Sequence, residues 1–101
     1  MEKMALVLSN FASPETARSV VRILMQEKTI TCANIFAPHF AIYPWNDQIV
    51  EDNETAVLFK GPWEGKDLMV KRLREIHPYD LPGIILIDAQ TLPDYAAWLG
   101  K

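Results

Sequence analysis

The sequence predicts an α+β domain in which two helices cover one face of a four-stranded sheet. Short apolar runs without a polar face are typical of buried strands, and two segments begin as proline-led amphipathic helices. The segments follow one another in the order β-α-β-β-α-β, which is the pattern of a ferredoxin-like sandwich. Half of the 101 residues are hydrophobic, so we expect a single domain over residues 1–101.

The first predicted strand is the apolar run 4–8, and a helix follows it. Ser13 is a good N-cap residue, and Pro14 suits the first helical position. The apolar residues of this helix recur at spacings of three and four, which predicts one face packed on the sheet. They are Ala17, Val20, Val21, Leu24 and Met25.

The second predicted strand, residues 29–43, is rich in β-branched residues and contains prolines. Pro38 and Pro44 place it at an edge of the sheet, because proline cannot donate to a neighbouring strand. Residues 45–48 have turn chemistry, so we expect an extended hairpin over residues 40–53. The apolar run 54–60 is predicted to be a central strand.

A second helix is predicted to start at Pro62 and to end at His77, because proline at position 78 disfavours a helical residue before it. Residues 83–87 form the fourth predicted strand, at the sheet edge. A short C-terminal helix should follow, capped by the stretch that begins at Thr91.

Both helices are expected on one face of the sheet, so the other face is left bare. The strands do not alternate apolar and polar residues as a solvated face requires. We therefore predict that other copies of the chain cover this face, with the 40–53 hairpin as a pairing arm.

Composition and charge argue against two classes of binding partner, nucleic acids and membranes. Ten basic and thirteen acidic residues give a net charge of −3 without a basic patch, so nucleic acid is not an expected partner. No apolar run has the length of a membrane span or of a signal peptide, which predicts no membrane partner and a cytosolic location. Cys32 is the one cysteine, so the chain cannot form an internal disulfide.

Five strings of residues are distinctive, and together they cover nearly the whole chain. They are Thr31–Ile35, Tyr43–Trp45 with the acidic arm to Glu54, Leu58–Lys60, His77–Pro82 and Tyr95–Trp98. In sequence and in order they resemble the CutA-type divalent ion tolerance proteins. The resemblance implies a ferredoxin-like subunit in a tight homotrimer, similar in plan to the PII signalling proteins, with clefts between subunits. It also implies a link to copper and other divalent metals.

The resemblance also implies site residues. The family's metal positions map onto Cys32, His77 and Glu54, and its cleft positions map onto Lys60 and Tyr79. To the cleft we add Asp80, on the same proline-bounded segment, and Tyr43 and Trp45, from a matching string.

The chain departs from the family at two places. Residues 46–48 replace a glycine and lysine of the hairpin turn, which leaves the turn type open. Gly61 after Lys60 replaces a threonine, which is expected to remove a hydroxyl from the cleft.

Each candidate ligand has a second interpretation. A thiolate and an imidazole suit copper or zinc, but a lone cysteine in a strand is more often a small buried apolar residue, and His77 could cap a helix end. The acidic residues Glu51, Asp52 and Glu54 could bind hard cations or form a solvated hairpin arm.

A second class of function is a PII-like signalling or scaffold module that binds an anionic metabolite or a partner protein. Lys60, Arg72 and Arg74 would then form an anion site. The three tryptophans are expected to anchor the core or an interface. No nucleophile–base spacing and no phosphate-binding glycine loop is present, so we predict neither an enzyme nor an organic cofactor.

Overall fold

The computed structural model describes residues 1–101. In chain order the elements are β1 (Glu2–Phe11), α1 (Pro14–Gln26), β2 (Cys32–Ile35), β3 (His39–Trp45), β4 (Gln48–Pro62), α2 (Lys66–Ile76), β5 (Ile84–Thr91) and α3 (Pro93–Leu99). A 3-10 turn over Trp63–Gly65 leads into α2. None of the helices has the length and apolar character needed to cross a membrane.

The main sheet is antiparallel and has the strand order β2-β4-β1-β5. This confirms the predicted fold class, with residues 54–60 in a central strand and the last strand at an edge. β3 pairs with the outer half of β4 and extends beyond the main sheet as a hairpin.

The core lies between the sheet and the two longer helices. Odd-numbered residues of β1 and β4 face this layer, because side chains alternate along a strand, and Val7 and Phe59 are fully buried there. The buried cluster consists of Ala5, Val7, Phe11, Ala17, Val20, Leu24, Ile30, Val57, Phe59, Met69 and Leu73. The predicted apolar face of α1 is therefore confirmed, except that Met25, in its last turn, is half-exposed.

β1 and β5 extend beyond the predicted runs 4–8 and 83–87, and the division of the chain into strands differs from the prediction at two points. The predicted second strand is two strands, because β2 ends at Ile35 and β3 begins at His39 on the other side of Pro38. The predicted return arm of the hairpin and the central strand are one continuous strand, β4. The candidate ligands of residues 51–54 are thus on the same strand as the core residues Val57 and Phe59.

The hairpin turn is a two-residue turn. Trp45 pairs with Gln48, and the residues between them, Asn46 and Asp47, have φ angles of 51° and 61°. Positive φ at both central residues is the type I′ geometry that matches the twist of a hairpin. Asn and Asp adopt this conformation more readily than other side chains, so the turn keeps its geometry without glycine.

Helix ends follow the sequence signals with two exceptions. The predicted start of α2 at Pro62 is wrong, because Pro62 is the last residue of β4 and α2 begins at Lys66, after the 3-10 turn. The Thr16 N–H donates to Ser13 Oγ at 3.2 Å, and His77 leaves α2 in an extended conformation, both as predicted. α3 begins within the stretch predicted to cap it, but Thr91, the first residue of that stretch, is still part of β5, and the N-cap residue Leu92 makes no side-chain cap hydrogen bond. Pro93 starts α3, and proline has no N–H that requires a partner.

The face of the sheet opposite α1 and α2 is largely apolar and partly exposed. The strand register places Leu58, Leu8 and Ile85 in one row across this open face, and Ile85 is 54% exposed. A neighbouring row contains Cys32 and Lys60 with Leu6. This is the bare face that the sequence predicted.

Candidate functional site

A groove of about 870 Å³ lies between the β3–β4 hairpin and the segment that follows α2. It contains five of the eight predicted site residues: Tyr43, Trp45, Glu54, Tyr79 and Asp80. The complete lining is Ala12, Tyr43, Pro44, Trp45, Val50, Asp52, Asn53, Glu54, Tyr79, Asp80 and Leu81. The stiff segment bounded by Pro78 and Pro82 supplies one wall, and the hairpin supplies the other.

Tyr79 connects the two walls. Its hydroxyl donates to Glu54 Oε2 at 2.8 Å. Burial, together with the hydrogen bond to this carboxylate, raises the pKa of Tyr79 above its ordinary value. The phenol therefore stays protonated at neutral pH and remains a hydrogen-bond donor to Glu54.

A second tyrosine–carboxylate pair lies beside the first. The Tyr43 hydroxyl donates to Asp52 Oδ2, and this bond raises the pKa of Tyr43. Asp52 and Glu54 share a face of β4 because they are two residues apart. Each carboxylate uses one oxygen for a tyrosine, so Asp52 Oδ1 and Glu54 Oε1 have no hydrogen-bond partner in the chain.

The groove is acidic. Its lining includes the carboxylates of Asp52, Glu54 and Asp80 and no lysine, arginine or histidine. None of the three carboxylates forms a salt bridge within the chain. Because a concave site lined by one sign of charge concentrates counter-ions of the opposite sign, this geometry favours a cation.

His77 lies behind the groove and is 8% exposed. Its ring stacks on Phe11 with centroids 4.5 Å apart. Nδ1 accepts the backbone N–H of Tyr79 at 3.1 Å, and Nε2 lies 3.1 Å from the carbonyl oxygen of Asn10. A carbonyl can only accept, so the proton is on Nε2, which also lies 3.0 Å from Ser9 Oγ. Burial lowers the pKa of His77, against the smaller opposing effect of the Asn10 carbonyl, and the imidazole is neutral.

Cys32 does not lie near this histidine within one subunit. Cys32 is on the open face, opposite Lys60, whereas Ser9, the partner of His77, faces the helices. These two of the three predicted metal ligands are thus on opposite faces of the sheet. No group of three or more His, Cys, Asp or Glu side chains in one subunit is placed to hold a metal ion.

The residues of the predicted anion site are also apart. Lys60 is on the open face of the sheet, while the Arg72 guanidinium is on α2 and donates to Glu27 at 2.6 and 2.9 Å. Gly61 is buried, and a Cβ atom there would lie 2.7 Å from Met69 Cε. The missing side chain at Gly61 therefore affects packing under α2 and not the groove.

His39 is not among the predicted site residues. This residue pairs with Glu54 across the hairpin, so both side chains are on one face. The position of His39 beside Glu54 could have been predicted from the turn, because a two-residue turn at Asn46 and Asp47 fixes which residues of the hairpin pair.

The model of the CutA1 divalent ion tolerance protein family matches residues 5–101. The chain belongs to this family. The divalent-cation tolerance protein CutA of Pyrococcus horikoshii is 38% identical over 97 residues, which are 95% of this chain and 94% of that protein. The resemblance inferred from the sequence is thereby confirmed.

Solved structures of CutA1 family members have the same fold. The divalent ion tolerance protein CutA1 of Ehrlichia chaffeensis aligns with a TM-score of 0.92 and 31% identity, covering 98% of this chain and 94% of that one. The PII-like protein CutA of Nostoc sp. PCC 7120, in apo form, aligns with a TM-score of 0.86 and 26% identity, covering 95% and 93%. These relatives are named for tolerance of divalent ions or for likeness to PII, and not for an enzymatic activity.

Proposed function

We propose that the chain is a cytosolic, non-enzymatic divalent-cation tolerance protein that binds copper or another divalent metal ion at the groove. In this proposal the groove lies at a boundary between the subunits of a homotrimer. The observation that supports it best is the negative charge of the groove carboxylates Asp52, Glu54 and Asp80, which have no cationic partner in the chain. They are not placed to hold an ion together within one subunit, so in this proposal a second subunit completes the ligand set. The family's name supports the choice of a divalent ion.

Glu54 is the first ligand in this proposal, because Oε1 is free and Tyr79 holds the other oxygen. A site that also uses Cys32 and His77 must combine residues of different copies, since one subunit places them on opposite faces of the sheet. Nδ1 of His77 must then exchange its bond to the Tyr79 N–H for a bond to the metal. Thiolate and imidazole ligands favour copper or zinc over hard cations.

Assembly into a homotrimer is supported by apolar surface that one subunit leaves uncovered. Phe40, Ile42 and Ile49 on one side of the hairpin are 74%, 62% and 81% exposed. β5 has an unpaired edge, and exposed strand edges favour pairing with another chain. Three copies is the number that the family resemblance implies.

Sedimentation at micromolar concentration tests the assembly, and the expected mass is about three times 11.5 kDa. Ile85→Lys places a charge on the open face and should lower the mass toward that of one chain. Leu68→Lys is the matched control, because Leu68 is 55% exposed on α2, away from that face. A wild-type mass near one chain contradicts the trimer.

Calorimetric titration with Cu(II) and with Zn(II) tests the metal site. Glu54→Gln removes a groove carboxylate and should weaken binding at least tenfold. Glu51→Gln is the matched control, because Glu51 lies on the same strand but on the opposite face of the hairpin and outside the groove. It should bind like the wild type.

The Cys32→Ser, His77→Ala double variant tests the two remaining ligands. We expect it to lose affinity for Cu(II), since both soft ligands are removed. If the heats of binding are unchanged in both this variant and Glu54→Gln, the metal proposal is overturned.

The alternative is a PII-like signalling or scaffold module that binds an anionic metabolite or a partner protein. The PII-like fold of the Nostoc relative supports it, while the acidic groove disfavours an anion at that place. A thermal-shift screen with nucleotides and organic acids separates the two proposals, because a ligand of the folded state raises the midpoint of unfolding.

A further inference from the structure

We propose that the groove also binds organic cations, that is, ammonium or guanidinium groups with apolar substituents. This goes beyond the proposed metal function and does not depend on it. The inference rests on aromatic side chains and unpaired carboxylates that line one cavity.

The aromatic surface of the groove comes from Tyr43, Trp45 and Tyr79. Trp45 is 63% exposed and no cation of the chain lies over its ring, whereas Lys3 and Lys66 lie 4.9 and 4.6 Å from the ring centre of Trp63. Indole faces attract cations within about 6 Å. The indole ring of Trp45 is therefore available to a cation, because no lysine or arginine of the chain lies over it.

The carboxylates supply the second half of the site. The tyrosine hydroxyls orient Asp52 and Glu54 and leave one oxygen of each free for a ligand N–H group. Hydrogen bonds between a charged donor and a carboxylate are about twice as strong as neutral ones. Asp80, at the other wall, adds to the negative potential and forms no salt bridge within the chain.

The size and the apolar lining of the groove also suit an organic ligand. The volume of about 870 Å³ is within the range of roughly 300–1,000 Å³ that is usual for small-molecule sites. A divalent ion needs only a few oxygen ligands at about 2.0–2.6 Å and gains nothing from Pro44, Val50 or Leu81. An ammonium group with alkyl substituents can contact the aromatic, the apolar and the acidic parts of the lining together.

Calorimetry of the assembled, metal-free protein with three probes tests the proposal. The probes are choline, n-butylguanidinium and the neutral isostere of choline in which carbon replaces nitrogen. At least one cation should bind tenfold or more tightly than the neutral isostere, since only the cations use the carboxylates and the ring faces. The proposal is overturned if the cations and the neutral isostere bind with equal affinity. It is also overturned if neither cation binds at roughly 50 mM, a concentration far above the Kd of typical specific sites.

Matched variants then locate the site. Trp45→Leu keeps an apolar side chain and should weaken cation binding roughly 2- to 30-fold, the usual range for one cation–π contact. Trp98→Leu, at a half-exposed tryptophan outside the groove, should have no effect. Asp52→Asn serves as a second groove variant, with sedimentation to check assembly. Cation affinity unchanged in both groove variants contradicts the assignment to this groove.

The result is separable from the metal proposal. If cations bind the metal-free protein while Cu(II) and Zn(II) give no heat, the metal proposal alone fails. If the metals bind and depend on Glu54 while neither cation binds, the organic-cation proposal alone fails.

Discussion

The backbone N–H of Tyr79 donates to Nδ1 of His77 at 3.1 Å, so the residue that ends α2 also orients the tyrosine that reaches Glu54. The same imidazole is tied through Nε2 to the end of β1 at Asn10. A chain of hydrogen bonds thus runs from the core strand β1 through His77 and Tyr79 to the hairpin. Within one subunit, His77 therefore supports the structure of the groove.

Mild acid is expected to destabilise the fold through His77. Its pKa is lowered by burial, so between the folded value and about 6.5 the unfolded chain binds a proton that the folded chain does not. Above about pH 6.5 His77 is neutral in both states and the free energy of unfolding does not depend on its titration. As the pH falls below that value, the free energy of unfolding decreases, until the folded state also binds the proton. Urea unfolding at a series of pH values measures this dependence.

Two controls accompany the pH series. His77→Asn should flatten the dependence near pH 6, and His39→Gln should keep the wild-type slope because His77 is still present. Nitrogen-15 NMR should find the His77 proton on Nε2. A proton on Nδ1 contradicts the hydrogen-bond assignment.

Tyr79→Phe is expected to lower the free energy of unfolding by about 1–2 kcal/mol, because it removes a hydrogen bond to a carboxylate. Tyr43→Phe removes the equivalent bond to Asp52 on the exposed part of the hairpin and should cost less. Denaturant unfolding at one fixed protein concentration measures both variants, since assembly makes stability depend on concentration. Equal losses would mean that Tyr79 does not connect the walls of the groove.

The two leucines of α2 should respond differently to truncation. Leu73 is fully buried against the sheet, so Leu73→Ala is expected to cost about 2–5 kcal/mol. Leu68 is 55% exposed, so Leu68→Ala should change stability by no more than about 0.5 kcal/mol. Thermal and denaturant unfolding measure the difference, and similar losses would contradict the assigned inner face of α2.

The hairpin turn offers a stabilising substitution. Asp47 has φ of 61°, and Asp47→Gly produces the favoured Asn-Gly sequence of a type I′ turn. We expect a gain of up to about 1 kcal/mol. Asp47→Val is the opposite control and should destabilise, because a β-branched residue strongly disfavours positive φ. A loss of stability in the glycine variant contradicts the turn assignment.

Local signals in the sequence were sufficient for most of the fold. Ser13 and Pro14 mark the start of α1, and the Pro78 constraint on His77 marks the end of α2. The break between β2 and β3 was less predictable, because β-branched residues continue on both sides of Pro38 and pairing with β4 decides where each strand ends. The capping residue of α3 was also less predictable, because Thr91 is a good cap residue but belongs to β5.

Local sequence signals also predicted part of the lining of the groove, which is the candidate site. Tyr79 and Asp80 lie on a segment that prolines make stiff, and Tyr43 and Trp45 flank the turn, so their neighbourhood follows from local structure. The face on which Cys32 lies depends on the register between β2 and β4, which is a long-range property. The position of Cys32 and His77 on opposite faces of the sheet could therefore not be predicted from local sequence.

One continuous strand, β4, runs from the tip of the hairpin to the centre of the sheet. Side chains alternate with a period of two, so deleting one residue between Asp52 and Val57 would turn either the carboxylates or the core residues to the wrong face. The hairpin can lengthen or shorten only by whole pairs of residues at its tip. Insertions and deletions of odd length in this arm are thus incompatible with keeping both the core and the groove, which limits how the arm can evolve.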